Sequence, residues 1–552
     1  MSTYSNRSPA ALRRASLLGV TLLLVLASAA SAAPVTTAPP YVVPSADSVD
    51  TTAILTVGDS VPEADAATDT VDWAFVGGVL TQTTQDGQYR MVGIPDGLGA
   101  FDSDGGDTFT VLMNHEIGGA QGVVHDHGSV GSFVSRWEIR KSDLRVMSGD
   151  DQIKRVLLYD SETDGFLAAG TFPFNRFCSG DLPAQSALYD PKSGLGTLER
   201  IYLNGEETRP SFDPRYGKAV GHVLTGSGSG DSYELNDIGE MSFENVVASP
   251  YPQEKTIVFG LDDSTNALPG AAFNANNPPS EVYVYVGQKQ STGNPVERAG
   301  LVGGDLFGVK VVGDPTEATV TGGERFSLFE MSGAAQDNGF TLQSESAANG
   351  VTQFRRVEDG QWDPTKKNDF YFVTTDAFPT NASTGLTRVW RLRFDDVTQP
   401  ELGGEIQIIY AASPGHTEGG TVESEPQPGE MFDNMTVDNH GRVLLQEDPG
   451  NNVHLARIWA LNPSTGRIAE VAIHDPALFT GTPAPKTLDE ESSGIIDVSA
   501  ILGADTYLFD VQAHRAVGDA ELVEDGQLLA MTVGFRDLRD LVGRKVFPTA
   551  SQ

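Results

Sequence analysis

From about residue 50 to about residue 545 the chain repeats a single device. A short run ends in a turn rich in Gly, Asn and Asp, and the next run begins. "TFTVLMN", "RVLLYD", "TIVFGL", "EVYVYVG", "RVWRLRF" and "RIWALN" are such runs. Many alternate apolar with polar residues, which puts one face of a strand on a core and the other in water. Others are enriched in Val, Ile, Tyr and Phe, which suit a pleated surface. The turns "DSDGGD", "DPKSG", "VDNHGR" and "NPSTG" supply residues that tolerate left-handed backbone. No long amphipathic helical pattern intervenes, which argues against a parallel α/β sheet. So many short strands leave three all-β solutions: a propeller, a large barrel or stacked sandwiches.

One recurring pattern favours the β-propeller. "DNMTVDNHGRVLLQEDPGNN…RIWALNPSTGRIAEVAI" reads as strand, turn, strand, loop, strand, turn, strand. That is one four-stranded antiparallel blade. "MSFENVVASPYPQEKTIVFGLDDS…SEVYVYVGQK" and "QWDPTKKNDFYFVTTDAF…TRVWRLRFDD" repeat the order, without a WD or kelch signature. In such a fold the loops of every blade collect at one mouth, where sites sit.

Residues 1–33 read as a secretory signal peptide. Arg7, Arg13 and Arg14 precede the apolar "LLGVTLLLVLA", and "SAASAAP" offers small residues for cleavage. "LRRASLL" loosely matches a twin-arginine signal. The apolar run is too short to span a bilayer. Residues 34–49, rich in Pro and Thr, read as an extended arm, and residues 50–552 as one catalytic domain. An exported chain normally forms disulfides, but this one holds a single cysteine, Cys178. An exposed free thiol in an oxidising compartment is open to damage, so burial or a bound metal is expected there. Asp and Glu total 75 against 37 Lys and Arg, a formal charge of −38. That argues against nucleic acid and anionic membranes, whose phosphates need a basic surface. It fits a solvated acidic exterior, carboxylates that bind calcium, or both.

Acidic and amide residues close several of the strand segments: Asn114, His115 and Glu116; Glu206 and Glu207; Glu244 and Asn245; Asp262 and Asp263; Glu430, Asp433 and Asn434; Glu447, Asp448 and Asn451. If their loops converge on one mouth, the carboxylates repel one another unless cations neutralise them, and hard oxygen ligands suit calcium. His125 and His127, in "VVHDHG", are a second metal-ligand pattern, with a plain polar loop as the alternative. No H-E-x-x-H, G-x-S-x-G or Walker sequence is present.

"FCSGDLP…GTLERIYLNGEE", "GEMSFENVVASP", "GLDDS…SEVYVYVGQK" and "DNMTVDNHGRVLLQEDPGNN…RIWALNPSTG" together resemble the bacterial PhoX-type alkaline phosphatase family, over roughly residues 70–540. The resemblance implies a six-bladed propeller, exported, that hydrolyses phosphomonoesters with iron and calcium at its mouth. It implies metal ligation by Cys178, Glu206, Glu207, Glu244, Glu447 and Asp448, with Asp263, Glu116 and Asn434 beside them. Metal-activated oxide or hydroxide would attack phosphorus in line, with Cys178 and Arg176 in the catalytic site. Lys218 and Arg209 are alternative phosphate contacts. The partner implied is a small phosphate ester, and the chain is expected to act as a monomer. The segment "LPAQSALYDPKSGLGTLERIYLNGEE" departs from the family's usual tryptophan-containing pattern, so the resemblance is carried by the metal side more than by the substrate side. Two rival functions stay open: a calcium-only propeller hydrolase of another ester or lactone, and a non-catalytic calcium-stabilised binding propeller.

Overall fold

The computed structural model describes residues 35–64, 73–76, 79–82, 87–102, 105–210, 215–264, 274, 278–375, 387–411, 429–480 and 482–538. The signal segment expected over residues 1–33 lies outside them. Among the described residues 49% are strand and 9% helix, an all-β arrangement. The three patterned segments form antiparallel strands in the order read from the sequence.

Six strands among the described residues make a closed circuit: Pro95–Phe101, Phe177–Asp181, Phe243–Ala248, Val357–Trp362, Phe432–Val437 and Glu490–Asp497. Each packs against the next, and the last against the first. From each a sheet extends outward, antiparallel throughout except in the second, where Arg155–Asp160 pairs parallel with Asp231–Glu234. The simplest runs Pro95–Phe101, Thr108–His115, Phe133–Arg140, Val146–Asp151. The sheets are not uniform. The third and fourth join through Glu324–Glu330 and Gly404–Ala411 into nine strands. The N-terminal segment closes the circuit. Val49–Thr56 pairs with Glu524–Val533 in the last sheet. Val42–Pro44 pairs with Arg467–His474, so the expected free arm is in part a strand. Tyr41 is buried there, and its hydroxyl donates to Asp525 at 2.9 Å.

Between the sheets the core is aromatic and aliphatic. Phe259 and Phe370 stack at 3.8 Å, edged by Trp362 and Phe394. Truncating one such ring to Ala costs about 3–5 kcal/mol.

One local device recurs around the circuit. Every inner strand shifts register against its neighbour, at Pro95/Leu98, Phe177/Gly180, Phe243/Asn245, Val357/Gly360, Phe432/Met435 and Ser493/Ile496. Such a bulge bends the strand and re-aims its side chains. Four inner strands are entered through a non-glycine residue in left-handed backbone: Ile94 (φ 49°), Arg176 (55°), Arg356 (53°) and Met431 (52°). That geometry is strained for L-residues and is held by its surroundings.

Candidate metal centre

The residue before each inner strand accepts a hydrogen bond from the backbone N–H at the end of the neighbouring strand. The pairs are Glu116 to Ile94, Glu207 to Arg176, Asp263 to Ser242, Thr375 to Arg356, Asp448 to Met431 and His514 to Asp489, at 2.8–3.1 Å. The second residue of each inner strand then occupies an equivalent place. Those residues are Asp96, Cys178, Glu244, Glu358, Asp433 and Glu491. One inner position and one outer position per sector therefore build the site. The inner set holds five carboxylates and the thiol. The outer set holds Glu116, Glu207, Asp263 and Asp448.

The ligand atoms are close. Those of Asp96, Glu116 and Cys178 lie within 4.8 Å of one another, as do those of Cys178, Glu207 and Glu244 and those of Glu244, Glu358 and Asp433. Cys178 and Glu244 each belong to two of these groups, so the three make one continuous centre. Cys178 is buried, and its Sγ–H donates to Asp96 Oδ2 at 3.3 Å. Burial, then the charges of Asp96 and Glu244, push its thiol well up. Burial, then the charge of Asp433, pushes Glu244 well above the carboxylate range. Asp96, Glu358, Asp433 and Glu491 are raised for the same two reasons, burial first and neighbouring carboxylates after it. Glu207 is raised to about 7, burial outweighing the attraction of Arg176.

Two arginines brace the walls. Arg176 pairs with Glu116 at 2.6 Å and with Glu207. Arg356 pairs with Asp263 Oδ2 and with Glu358 Oε1, both at 2.9 Å. Two guanidiniums do not balance the carboxylates around them. A thiol among hard oxygens, in a pocket that penalises every uncompensated negative charge, fits a mixed set of cations: a softer one at Cys178 and hard ones at the carboxylates.

The expected ligands divide by strand alternation. Glu116, Cys178, Glu207, Glu244, Asp263 and Asp448 face the centre or its rim. Glu206 and Glu447 do not, and this corrects the expectation that each acidic pair ligates as a unit. Successive side chains on a strand point to opposite faces. Glu206 is fully buried on the other face, paired in bidentate fashion with Arg215 at 2.5 and 2.6 Å and accepting the Asn175 N–H at 2.9 Å. Glu447 accepts from His454 at 2.9 Å, Trp459 Nε1 at 2.8 Å and the Glu430 N–H at 2.8 Å. Asn434 backs the ring: its Oδ1 accepts from Ser179 Oγ at 3.2 Å and from the Gly494 N–H at 2.7 Å. Lys218 is spent on Glu234 and Glu240, and Arg209 donates to the Asp263 carbonyl at 3.2 Å. His125 pairs with Asp151 at 3.0 Å, and its ring stacks parallel to that of His127 at 6.3 Å; neither joins a metal-holding group.

Sequence reasoning missed Asp96, Glu358, Glu491 and Arg356; it named Asp433 among the acidic candidates but took its neighbour Asn434 as the expected ligand. A signal for them existed. "IPDG", "RFCS", "SFEN", "RVED" and "MFDN" share one order: an entry residue, an apolar residue, an acid or Cys, then a small or polar residue. Lined up, the five mark inner-strand starts.

A thiol and five carboxylates presented from six strand ends make one buried acidic centre on an all-β scaffold, with three groups spaced to hold a metal ion. The family model described as alkaline phosphatase PhoX matches residues 234–489, so the resemblance read from the motifs holds over that segment. The match takes in Glu244, Asp263, Arg356, Glu358, Asp433 and Asp448; Cys178 and Glu207 precede it. Among solved structures the chain is similar to Pseudomonas fluorescens PhoX in complex with vanadate, a transition state analogue, at 12% identity. That likeness covers 90% of this chain and 96% of the other with a TM-score of 0.58, and it speaks to the fold. A protein of unknown function from Dyadobacter fermentans is 7% identical over 88% of this chain and 100% of its own, with a TM-score of 0.37. No protein of curated function matches the chain.

Proposed function

We propose that this chain is an exported, metal-dependent phosphomonoesterase, built as a six-bladed propeller from residues 50–552 and acting on small phosphate esters. The observation that carries the reading is the continuous centre of Cys178 and buried carboxylates, with Arg176 and Arg356 held in its walls. The motif and fold likeness to PhoX supports the phosphate chemistry. The signal segment supports export, and the twin-arginine route is one form of it.

Cys178, Asp96, Glu116, Glu207, Glu244, Glu358 and Asp433 would hold the cations, iron at the thiol and calcium at the carboxylates. Bound there, the cations supply charge to polarise a phosphoryl group and to activate water. The chain's own residues do the rest. Burial keeps the Cys178 proton on sulfur until a cation displaces it, so metal uptake releases protons. Asp263 and Glu358 fix the Arg356 guanidinium, and Glu116 and Glu207 fix that of Arg176. Both present planar donors suited to phosphate oxygens and to the charge that grows on them. Gln512, donating to Asp96 at 2.8 Å and to Glu116 at 3.0 Å, aligns two ligands from the last sheet.

Elemental analysis of the purified full chain, paired with hydrolysis of p-nitrophenyl phosphate, tests the reading. Iron and calcium are expected together with turnover. Glu358→Gln and Asp433→Asn should lower metal content and turnover in step, by at least about tenfold. Full turnover by chelator-stripped protein would overturn the proposal. Calcium without iron would favour the calcium-only hydrolase.

A further inference from the structure

Asp262 ends the strand Lys255–Asp262, and Glu281 immediately precedes Val282–Gln288. The Asp262 N–H donates to the Glu281 carbonyl at 3.2 Å, one step past the Leu261–Val282 pair. The two carboxyl groups are therefore cross-strand neighbours. Both residues are fully buried. Asp262 turns away from the centre that Asp263 faces, and the helix Gly339–Asn349 covers it. Among the described residues neither carboxyl has an ion pair with a basic side chain.

The hydrogen bonds are lopsided. Asp262 accepts from the Ser242 N–H at 3.1 Å, from the Ser264 hydroxyl and from Gln343 Nε2 at 2.7 Å. Glu281 has only the Tyr283 hydroxyl at 3.5 Å, itself 2.8 Å from Ser346 Oγ. Glu281 Oε1, Gln343 Oε1 and Ser242 Oγ are buried without a partner. A buried polar atom left so is costly, because it has given up water without gaining a partner. A shared proton does not repair this. One O–H on Glu281 answers a single acceptor, which leaves at least one of the three buried oxygens without a partner. A divalent ion with oxygen ligands answers every one of these groups and neutralises both carboxylates.

We infer that Asp262, Glu281, Gln343 and Ser242 form a second, closed site for a hard divalent cation, calcium by its all-oxygen donor set, behind the main centre. An ion there anchors the strand end that carries Asp263, and through it the Arg356 guanidinium.

Calcium counted in the full chain and in Glu281→Gln tests this, with thermal midpoints taken with and without added calcium. The variant should hold one calcium fewer with iron unchanged, and should lose part of the midpoint rise that calcium gives. Because iron reports the main centre alone, failure there is distinguishable from failure here. Gln343→Met removes one ligand oxygen at similar size and serves if Glu281→Gln does not fold; calcium affinity at this site should fall about tenfold. Terbium alone supplies a further readout, its emission sensitised by Tyr283 in the wild type and lost in either variant. An unchanged calcium count and unchanged calcium dependence of the midpoint mean that a proton or a water fills the gap, and overturn the proposal.

Discussion

At the scale of single residues, position along a strand decides between ligand and scaffold. Cys178 was legible as an anomaly, because a lone thiol behind a signal-like segment calls for burial or a metal, and it is the buried thiol shared by two groups spaced to hold a metal ion. The acidic pairs were legible as pairs, but which member faces inward depends on alternation and a bulge, and neither is marked in the letters. Glu447 and Glu358 test the distinction. Although burial opposes it, the neighbouring His454 and Arg457 hold Glu447 below the usual carboxylate range. Glu447→Gln breaks that buried pairing and should cost about 3 kcal/mol in urea denaturation, with metal content per folded molecule unchanged. Glu358→Gln should differ in its metal readout: metal content per folded molecule falls, whatever the lost Arg356 pairing costs in stability. Cys178→Ser should remove iron and cut turnover by about a hundredfold or more while calcium persists, which elemental analysis and p-nitrophenyl phosphate hydrolysis read directly. Retained iron in that variant would sink the thiolate's role.

At the scale of elements, the strands were read from period-two patterning because local physics writes them. The circuit they form was not, since it depends on contacts between strands far apart in sequence. The entry turns explain why Asp96 and Glu358 escaped notice: a left-handed Ile94 or Arg356 carries no glycine to announce it. The close approach of the first two inner strands is legible only in three dimensions. A Cβ at Gly97 would lie 2.4 Å from the Gly180 nitrogen and 2.6 Å from Asn114 Nδ2. Gly97→Ala should therefore force apart the strands carrying Asp96 and Cys178. We expect a loss of about 1–3 kcal/mol in thermal unfolding together with reduced metal content. Wild-type metal content in a destabilised Gly97→Ala would show that the spacing serves packing alone.

At the scale of the whole molecule, charge and cations trade places. A formal charge of −38 repels itself, and its most costly part is the buried centre. There the folded carboxylates titrate above their unfolded value of about 4, Glu207 at about 7 and the others higher than usual. Above about pH 4 the stripped native state holds protons that the unfolded chain has released, so its stability falls as pH rises through the raised values. Chelator-treated protein should thus lose thermal midpoint steadily from about pH 5 to about pH 8, and metal-loaded protein should not, because cations replace the protons. A flat profile after chelation would mean that the centre is already neutralised by other means.

The hydrogen bond that recurs at every sector of the ring has a consequence for how such a protein changes. The same hydrogen-bonded frame recurs six times, and each frame presents one interchangeable letter to the centre. One outer position already carries Thr375 and another His514, in the same frame that elsewhere carries Glu or Asp. Ligand identity is therefore uncoupled from scaffold geometry. A single substitution alters the softness or charge of one sector and leaves the other five in register, so the selectivity of the centre for one ion over another can drift letter by letter without a new fold.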